Sequence, residues 1–415
     1  MRNYVRKILL YFAGISFCTA LFAINYSEPV RLIRSLPSTL HLSKDPAEDP
    51  DYLRMDKSAS GMIPVTASTD EHLVHAQQSG TYTYRLFDVI PLRTITVERG
   101  DSIFLVPGGS AVGITIRTNG VLVVGLGSVV TDQGTFSPGA SAGLVPGDTI
   151  LEVNGVTVEN AVHLSKLCEN AQSGTTLTVL RDGQKLKVAA TPQTDADDGV
   201  GRLGVWVRDS TAGVGTFSFY DRATGWFAAL GHPVSDVDTE TTLSIREGKI
   251  VRSQIVDVIR GKRGEPGELL GVFSASGAAE GELRVNSEFG IFGVMHTPYE
   301  NALVDAVPLG YAYEAHLGDA TILTTVAGDR VEAFQCEISH VDSQDAPSSK
   351  GLVVTVTDEA LLDLTGGIVQ GMSGSPVIQD GKLVAIVTHV FVNDPTKGYC
   401  VYAEWMLRQM QKSAS

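Results

Sequence analysis

Short apolar runs broken by glycine recur through the second half of the chain, and that punctuation limits what it can build. The runs are Gly201-Arg-Leu-Gly-Val-Trp-Val207, Gly215-Thr-Phe-Ser-Phe-Tyr220, Phe289-Gly-Ile-Phe-Gly-Val294, Ala320-Thr-Ile-Leu-Thr-Thr-Val326, Gly351-Leu-Val-Val-Thr-Val356 and Lys382-Leu-Val-Ala-Ile-Val387. Each has strand length, and the intervening glycines supply turns. Glycine accounts for 43 of 415 residues and aromatics for 7%, which suits short strands and tight turns and argues against a helical bundle. The expectation is a mainly β chain, with an antiparallel barrel or pair of barrels over residues 194–415. A terminal helix is expected over Ala403 to Ser415.

Charge and cysteine usage narrow the function. Thirty-two basic against 47 acidic residues leave a net charge of −15 without a basic stripe, which argues against nucleic acid as a partner. Cys18, Cys168, Cys336 and Cys400 have no CxxC or paired spacing, so neither a zinc site nor a disulfide framework is expected, and no cofactor is implied. The basic segment Met1 to Lys7 precedes the uncharged apolar run Ile8 to Ile24. Good small-x-small cleavage spacing is missing after it, so residues 1–25 read as a retained signal-anchor helix, with the rest exported, either membrane-anchored or secreted. Residues 26–104 read as a flexible stem followed by short strands: Lys44-Asp-Pro-Ala-Glu-Asp-Pro-Asp51 and Thr66-Ala-Ser-Thr-Asp-Glu71 are polar and Pro-broken, and order resumes near Tyr82.

Residues 105–193 form the next unit. Strand-like Val112 to Ile116 and Val121 to Val124 flank Thr118-Asn-Gly120, read as a turn. Ser137-Pro-Gly-Ala-Ser-Ala-Gly-Leu144, Pro146-Gly-Asp-Thr-Ile-Leu151 and Val153-Asn-Gly155 follow. A helical stretch from Asn160 to Asn170 and a hairpin over Asp182-Gly183 close the unit. This string resembles a PDZ domain of the type found in exported proteases, an α+β fold that binds an extended peptide as an added strand and captures its terminal carboxylate on backbone N–H groups. The resemblance implies a carboxylate loop in Gly108-Gly-Ser-Ala-Val-Gly113 ahead of Ile114, with Gly109, Val112, Gly113 and Ile114 as peptide-binding residues; an ordinary glycine turn is the alternative.

The sharpest string is Gly371-Met-Ser-Gly-Ser-Pro376, followed by a strand, the turn Gln379-Asp-Gly381 and a second strand. It resembles the nucleophile loop of chymotrypsin-type serine peptidases. A serine on a glycine-flanked turn exposes its hydroxyl while backbone amides converge on one pocket, where they stabilise a tetrahedral oxyanion. Ser373 is the matching nucleophile, with the N–H groups of Gly371 and Ser373 as oxyanion donors. Met372 and Ser375 depart from the chymotrypsin string, and Ser375 is a rival nucleophile. The string is not the Gly-x-Ser-x-Gly elbow of α/β-hydrolases. A base is needed, and His232 in Trp226-Phe-Ala-Ala-Leu-Gly-His-Pro-Val234 ends an apolar strand 141 residues before the serine. His296 and His389 are weaker candidates. For the third member, spacing leaves Asp358, Asp363, Asp305, Asp236 and Asp238 open; Asp358 would also serve as an N-cap for Glu359-Ala-Leu-Leu362.

Leu230-Gly-His-Pro-Val-Ser-Asp236, Thr357-Asp-Glu-Ala-Leu-Leu362 and Thr365-Gly-Gly-Ile-Val-Gln-Gly-Met-Ser-Gly-Ser-Pro376 together resemble the stage IV sporulation protein B peptidase family. That family orders a signal anchor, a PDZ domain and a chymotrypsin-like barrel peptidase as expected here. The resemblance implies a Ser373–His232–Asp358 triad and residence between forespore and mother-cell membranes. It also implies self-cleavage in trans by another copy of the chain. The further substrate would be a membrane-bound regulator of an intramembrane protease, whose cleavage activates a late mother-cell sigma factor. A catalytically inactive PDZ scaffold is the competing reading.

Overall fold

The computed structural model describes residues 38–44, 65–67, 79–86, 90–169, 174–274, 277–342 and 347–414, with isolated positions between 15 and 34. The expected signal anchor lies almost wholly outside the described residues. Among the described residues, no helix is long and apolar enough to cross a membrane. The chain divides into two compact units, the first holding residues 1–103 with the short pieces 311–315 and 342–347. Its four-stranded sheet runs in the order Thr39–Ser43, Ile90–Gly100, Gly80–Leu86, Val65–Ala67. The hairpin between the two longest strands is where order was expected to resume. Thr39–Ser43 was expected to belong to the flexible stem, but it pairs parallel with Thr96 to Gly100. Alternating burial explains this, since Leu40 and Leu42 are buried with Ile95 and Val97.

The second unit begins at Phe104. Its first long strand, β1 (Ala111–Leu126), is a single 16-residue element. Thr118-Asn-Gly120 is therefore no turn: the strand bends there, with Gly120 at φ 84°, and continues. The inserted α+β unit follows: β2 (Thr149–Val153), helix α1 (Ala161–Glu169), β3 (Thr175–Arg181) and β4 (Gln184–Ala190). Asp182 and Gly183, both at positive φ, turn β3 into β4 as the Asp-Gly pair predicts. The far half of β1 pairs with β2 and supplies Val121 and Val123 to a core shared with Ile150, Leu164 and Leu177.

The chain returns on a second 16-residue strand, β5 (Val205–Tyr220), antiparallel to β1 along almost its whole length. Then come β6 (Trp226–Ala229), β7 (Ile245–Arg252), β8 (Gly281–Ser287) and β9 (Gly290–Met295). The pairings β1–β7, β7–β8, β8–β9, β9–β6, β6–β5 and β5–β1 close a ring of antiparallel strands. Its core holds Val112, Ile114, Ile116, Phe217, Phe227 and Ile291 among others. The residues expected to form a boundary at 193/194 therefore do not divide the units. Residues 104–117 belong to the barrel, and β1 and β5 carry the inserted unit on their extended ends.

The second barrel is closed in the order β10 (Gly318–Thr324), β11 (Glu332–Val341), β12 (Leu352–Val356), then β15 (Lys397–Tyr402), β14 (Lys382–Val390) and β13 (Pro376–Gln379). Helix α2 (Glu359–Thr365) follows β12, and β13, β14 and β15 precede the terminal helix α3 (Ala403–Ala414). Phe217 stacks on Phe227 and Tyr299 at the heart of the first barrel. Phe217→Ala is expected to cost ~3–5 kcal/mol of folding free energy, read as a fall in urea midpoint at unchanged slope.

Candidate active site

The serine loop joins α2 to β13, and its shape is set by glycine. Gly371 and Gly374 have φ 96° and 104°. A Cβ on Gly374 would lie 2.0 Å from the carbonyl oxygen of Thr216, so no side chain fits there. The N–H of Gly374 donates to Val387 and that of Met372 to Val369. Among the described residues, the N–H groups of Gly371 and Ser373 find no acceptor. These are the two amides an oxyanion site needs. Ser375, the rival nucleophile, is fully buried and donates to Thr324 Oγ1 at 3.0 Å, a structural role.

Thr216, on β5 of the opposite barrel, carries no signal that sequence reading caught. Its N–H donates to the carbonyl of Ser373 at 3.1 Å and its hydroxyl to the carbonyl of Gly371 at 2.7 Å. Its own carbonyl accepts from the N–H of Leu230 at 3.2 Å. One buried threonine thus ties the serine loop to the loop that carries His232. On the other side, Gly231 packs against Thr388: a Cβ there would sit 2.9 Å from Thr388 Cγ2. The Ser373 hydroxyl donates to the carbonyl of the same Thr388 at 2.6 Å. Ser373 and His232 therefore converge on one stretch of β14. Leu230 reaches the site with φ 72°, a left-handed conformation that costs a residue with a Cβ about 1–2 kcal/mol and persists only where its surroundings hold it.

The His232 Nδ1 lies 2.9 Å from the carbonyl oxygen of Pro233. A carbonyl can only accept, so Nδ1 bears the proton and Nε2 keeps its lone pair, the tautomer a general base requires. Burial pushes the His232 pKa below its usual value, and the Pro233 carbonyl partly opposes that shift. His389 faces it from β14 with ring centroids 5.1 Å apart. Desolvation, then the neighbouring His232 and Lys350, bring the His389 pKa down to about 4.

Asp358 is elsewhere engaged. Its carboxylate accepts from the N–H groups of Ala360 and Leu361, capping α2, and from Gln335 N–H. Among the described residues no carboxylate hydrogen-bonds to His232. Asp236 binds Arg208, Asp305 binds Arg222, and His296 is held by the carbonyl of Ala279. The contact of His232 Nδ1 is thus a backbone carbonyl and not the expected carboxylate.

The expected peptide-binding loop is also corrected. Gly109 lies between Leu323 and Val331, Val112 and Ile114 are barrel core, and Gly113 is covered by Phe273. They are barrel residues because β1 pairs on both edges there, with β5 and β7, leaving no edge for a peptide. The free edge lies instead at the start of β5. Val205 to Arg208 pair only with β1 on one side, and Val205 and Val207 lie half-buried with Leu167 of α1 on the other. Gly201-Arg-Leu-Gly204 leads in, close to the carbonyl of Cys168 at the end of α1. The sequence signal was a glycine-flanked Leu203 directly before an apolar strand.

Residues 199–407 match the family described as SpoIVB peptidase S55, and residues 129–181 match a PDZ domain. A putative serine protease HhoB of Synechocystis sp. is 38% identical over 80 residues, 18% of this chain and 19% of that protein. A putative zinc metalloprotease of Treponema pallidum is 32% identical over 98 residues, 23% and 21% of the respective chains. The chain thus spans about a fifth of the length of these curated relatives. Solved structures similar to it include the Rv3671c protease from M. tuberculosis in its active form (16% identity, 49% of this chain and 74% of that one, TM-score 0.28). The HtrA-type protease AlgW with decapeptide is another (13% identity, 52% and 57%, TM-score 0.28).

Asp358→Ala is expected to lower stability by ~1 kcal/mol through the lost cap while leaving the rate of Ser373 labelling by a fluorophosphonate within about threefold. Thermal melts and labelling kinetics on one sample separate the two effects. The pH profile has a definite sign. Burial lowers the His232 pKa, so the labelling rate should hold to a lower pH than an exposed histidine would allow before it falls. The same depressed histidines bind protons more readily when unfolded. Stability should therefore be full above pH 6.5 and decline as pH falls toward about 4, measurable by urea titration.

Proposed function

The chain belongs to the SpoIVB peptidase S55 family, and from that premise we propose that it is an exported serine endopeptidase acting through Ser373 and His232. The observation that carries the reading is the Thr216 junction. It bonds the loop of a glycine-turn serine with two free amides to Leu230, two residues before a histidine whose Nδ1 bears the proton, and that supports pairing the two. The Ser373 hydroxyl swings from the Thr388 carbonyl toward His232 Nε2 and attacks the substrate carbonyl carbon, passing its proton to the imidazole. The developing oxyanion takes the N–H groups of Gly371 and Ser373. His232 then hands the proton to the leaving amine, and water, deprotonated by the same imidazole, hydrolyses the acyl-enzyme. The Pro233 carbonyl holds the protonated Nδ1 throughout. The vacated Thr388 carbonyl is free to accept from substrate backbone.

The inserted PDZ domain receives an extended peptide along Val205 to Arg208, between β5 and α1, by strand addition. The substrates are the polar tract between residues 44 and 71 of another copy, and a membrane-bound regulator of an intramembrane protease in sporulation signalling. Family membership and the basic-then-apolar segment at residues 1–24 support that setting, outside the cytoplasm and against a membrane.

The test uses the full chain, reading fluorophosphonate labelling together with the amino-terminal sequence of the accumulated protein. Ser373→Ala should abolish labelling and processing. His232→Ala should lower both by ~10³-fold or more. Processing at the wild-type rate by purified Ser373→Ala would overturn the assignment.

A further inference from the structure

The amino-terminal sheet holds the chain on both sides of the polar tract in which processing is proposed. Thr39–Ser43 forms one edge and Val65–Ala67 the other, with Ile90–Gly100 and Gly80–Leu86 between them. Residues 44–64 therefore join the two outer strands of a single sheet. A cut in that connection touches neither set of pairings. Val65–Ala67 stays on Gly80–Leu86, and Thr39–Ser43 stays on Ile90–Gly100.

The edge strand Thr39–Ser43 is gripped on three sides. Its backbone pairs in parallel with Thr96 to Gly100, and bonds from Thr96 N–H to Ser38 and from Lys44 N–H to Gly100 lengthen the ladder at each end. Leu40 and Leu42 share one face and are 1% and 7% exposed, with Val97, the register partner of Leu40, buried alongside. His41 takes the opposite face, where its Nδ1 lies 3.2 Å from a carboxylate oxygen of Glu98. Its ring stacks on Tyr311, centroids 4.6 Å apart and planes 11° from parallel. Tyr313 stacks behind Tyr311, and its hydroxyl donates to the His41 carbonyl. Both tyrosines belong to the piece 311–315, which is part of this unit. Upstream, Val30 is completely buried. The exposed Lys44–Asp101 ion pair adds little. Every partner named for Thr39–Ser43 thus lies carboxy-terminal to the tract.

We propose that processing within residues 44–64 nicks the chain without dividing the molecule: the amino-terminal piece stays bound through Thr39–Ser43 as an edge strand of the sheet. One peptide bond is hydrolysed, water giving its hydroxyl to the new carboxyl terminus and its proton to the new amine. The product is a noncovalent pair of pieces. The peptidase piece keeps its hold on residues 1–43, which carry the basic-then-apolar segment. Strand addition is a recognised way for a sheet to bind an extended peptide, with backbone bonds giving affinity and side-chain pockets giving register. Here the peptide is the chain's own former amino terminus. The proposal rests on the peptidase reading above and states what its self-cleavage yields.

The experiment uses the full chain in detergent with Ser373→Ala, an amino-terminal affinity tag, and a site-specific protease sequence in place of residues 50–56. After complete cutting, capture on the tag should bring down the carboxy-terminal piece in near-equal amount. Leu40→Asp with Leu42→Asp should release that piece about a hundredfold faster, since two charges replace two buried side chains. Leu42→Ala, the variant to rely on should the double change unfold the sheet, should release it about tenfold faster. Circular dichroism of the uncut chains checks the fold. Pieces held together only by a shared micelle would be captured alike in all three chains. Loss of the carboxy-terminal piece from the parent chain as soon as the tract is cut would overturn the proposal, and so would equal release from all three. Catalysis plays no part in this capture. A wild-type chain that fails to process itself would therefore overturn the peptidase reading and leave the retention standing.

Discussion

Everything at the site hangs on the backbone of Thr216. A serine peptidase built from two barrels has to bring a nucleophile from one and a base from the other into contact, and side chains alone would fix that distance poorly. Here a single buried residue of the first barrel bonds Ser373 and Gly371 of the second and Leu230 of its own. Backbone hydrogen bonds of this kind are directional and cost free energy if left unmade in the interior, so the two loops cannot drift apart without leaving buried groups unpaired. The glycine at 374 is the complement of that junction, because the Thr216 carbonyl occupies the space a side chain would need.

Among the described residues, the partner bonded to the His232 ring is a carbonyl and not a carboxylate. In a Ser-His-Asp arrangement the acid fixes the tautomer and stabilises the imidazolium. The Pro233 carbonyl performs the first task and, being neutral, contributes only a dipole to the second. Burial acts in the opposite sense, holding His232 neutral to lower pH. The expected consequence is a base that is available across a wide pH range but less strongly driven to take the proton. His389 beside it is pushed the same way, so the two rings stay uncharged together. The freed Asp358 does what aspartates at such positions do well: it closes the amino-terminal end of a helix and ties it to a neighbouring strand.

The PDZ domain is not strung before the peptidase but grown from it. β1 and β5 each run through the first barrel and onward into the inserted core, so the two hydrophobic cores share continuous strands. The insertion is thus joined to the barrel through two strands that stay hydrogen-bonded to each other across the junction. Arg208, on β5 at that junction, pairs with Asp236 and Asp238.

The sequence alone determined the local pieces. Glycine-separated apolar runs specified strands, Asp182-Gly183 specified a hairpin, and the Gly-x-Ser-Gly context singled out Ser373, because each depends on chemistry within a few residues. It also pointed to His232 by the apolar strand that ends in Leu-Gly. It could not reveal that Thr118-Asn-Gly120 bends within a strand, since a glycine at positive φ serves a turn and a kink equally well. Which strand supplies the free edge at Val205 and which aspartate meets which histidine were likewise hidden, as was Thr216 at the junction. Those depend on pairings between segments tens to hundreds of residues apart, and only the closed barrels decided them: a strand bonded on both edges has no room for a peptide, and the Asp358 carboxylate is taken up by three backbone amides of its own barrel.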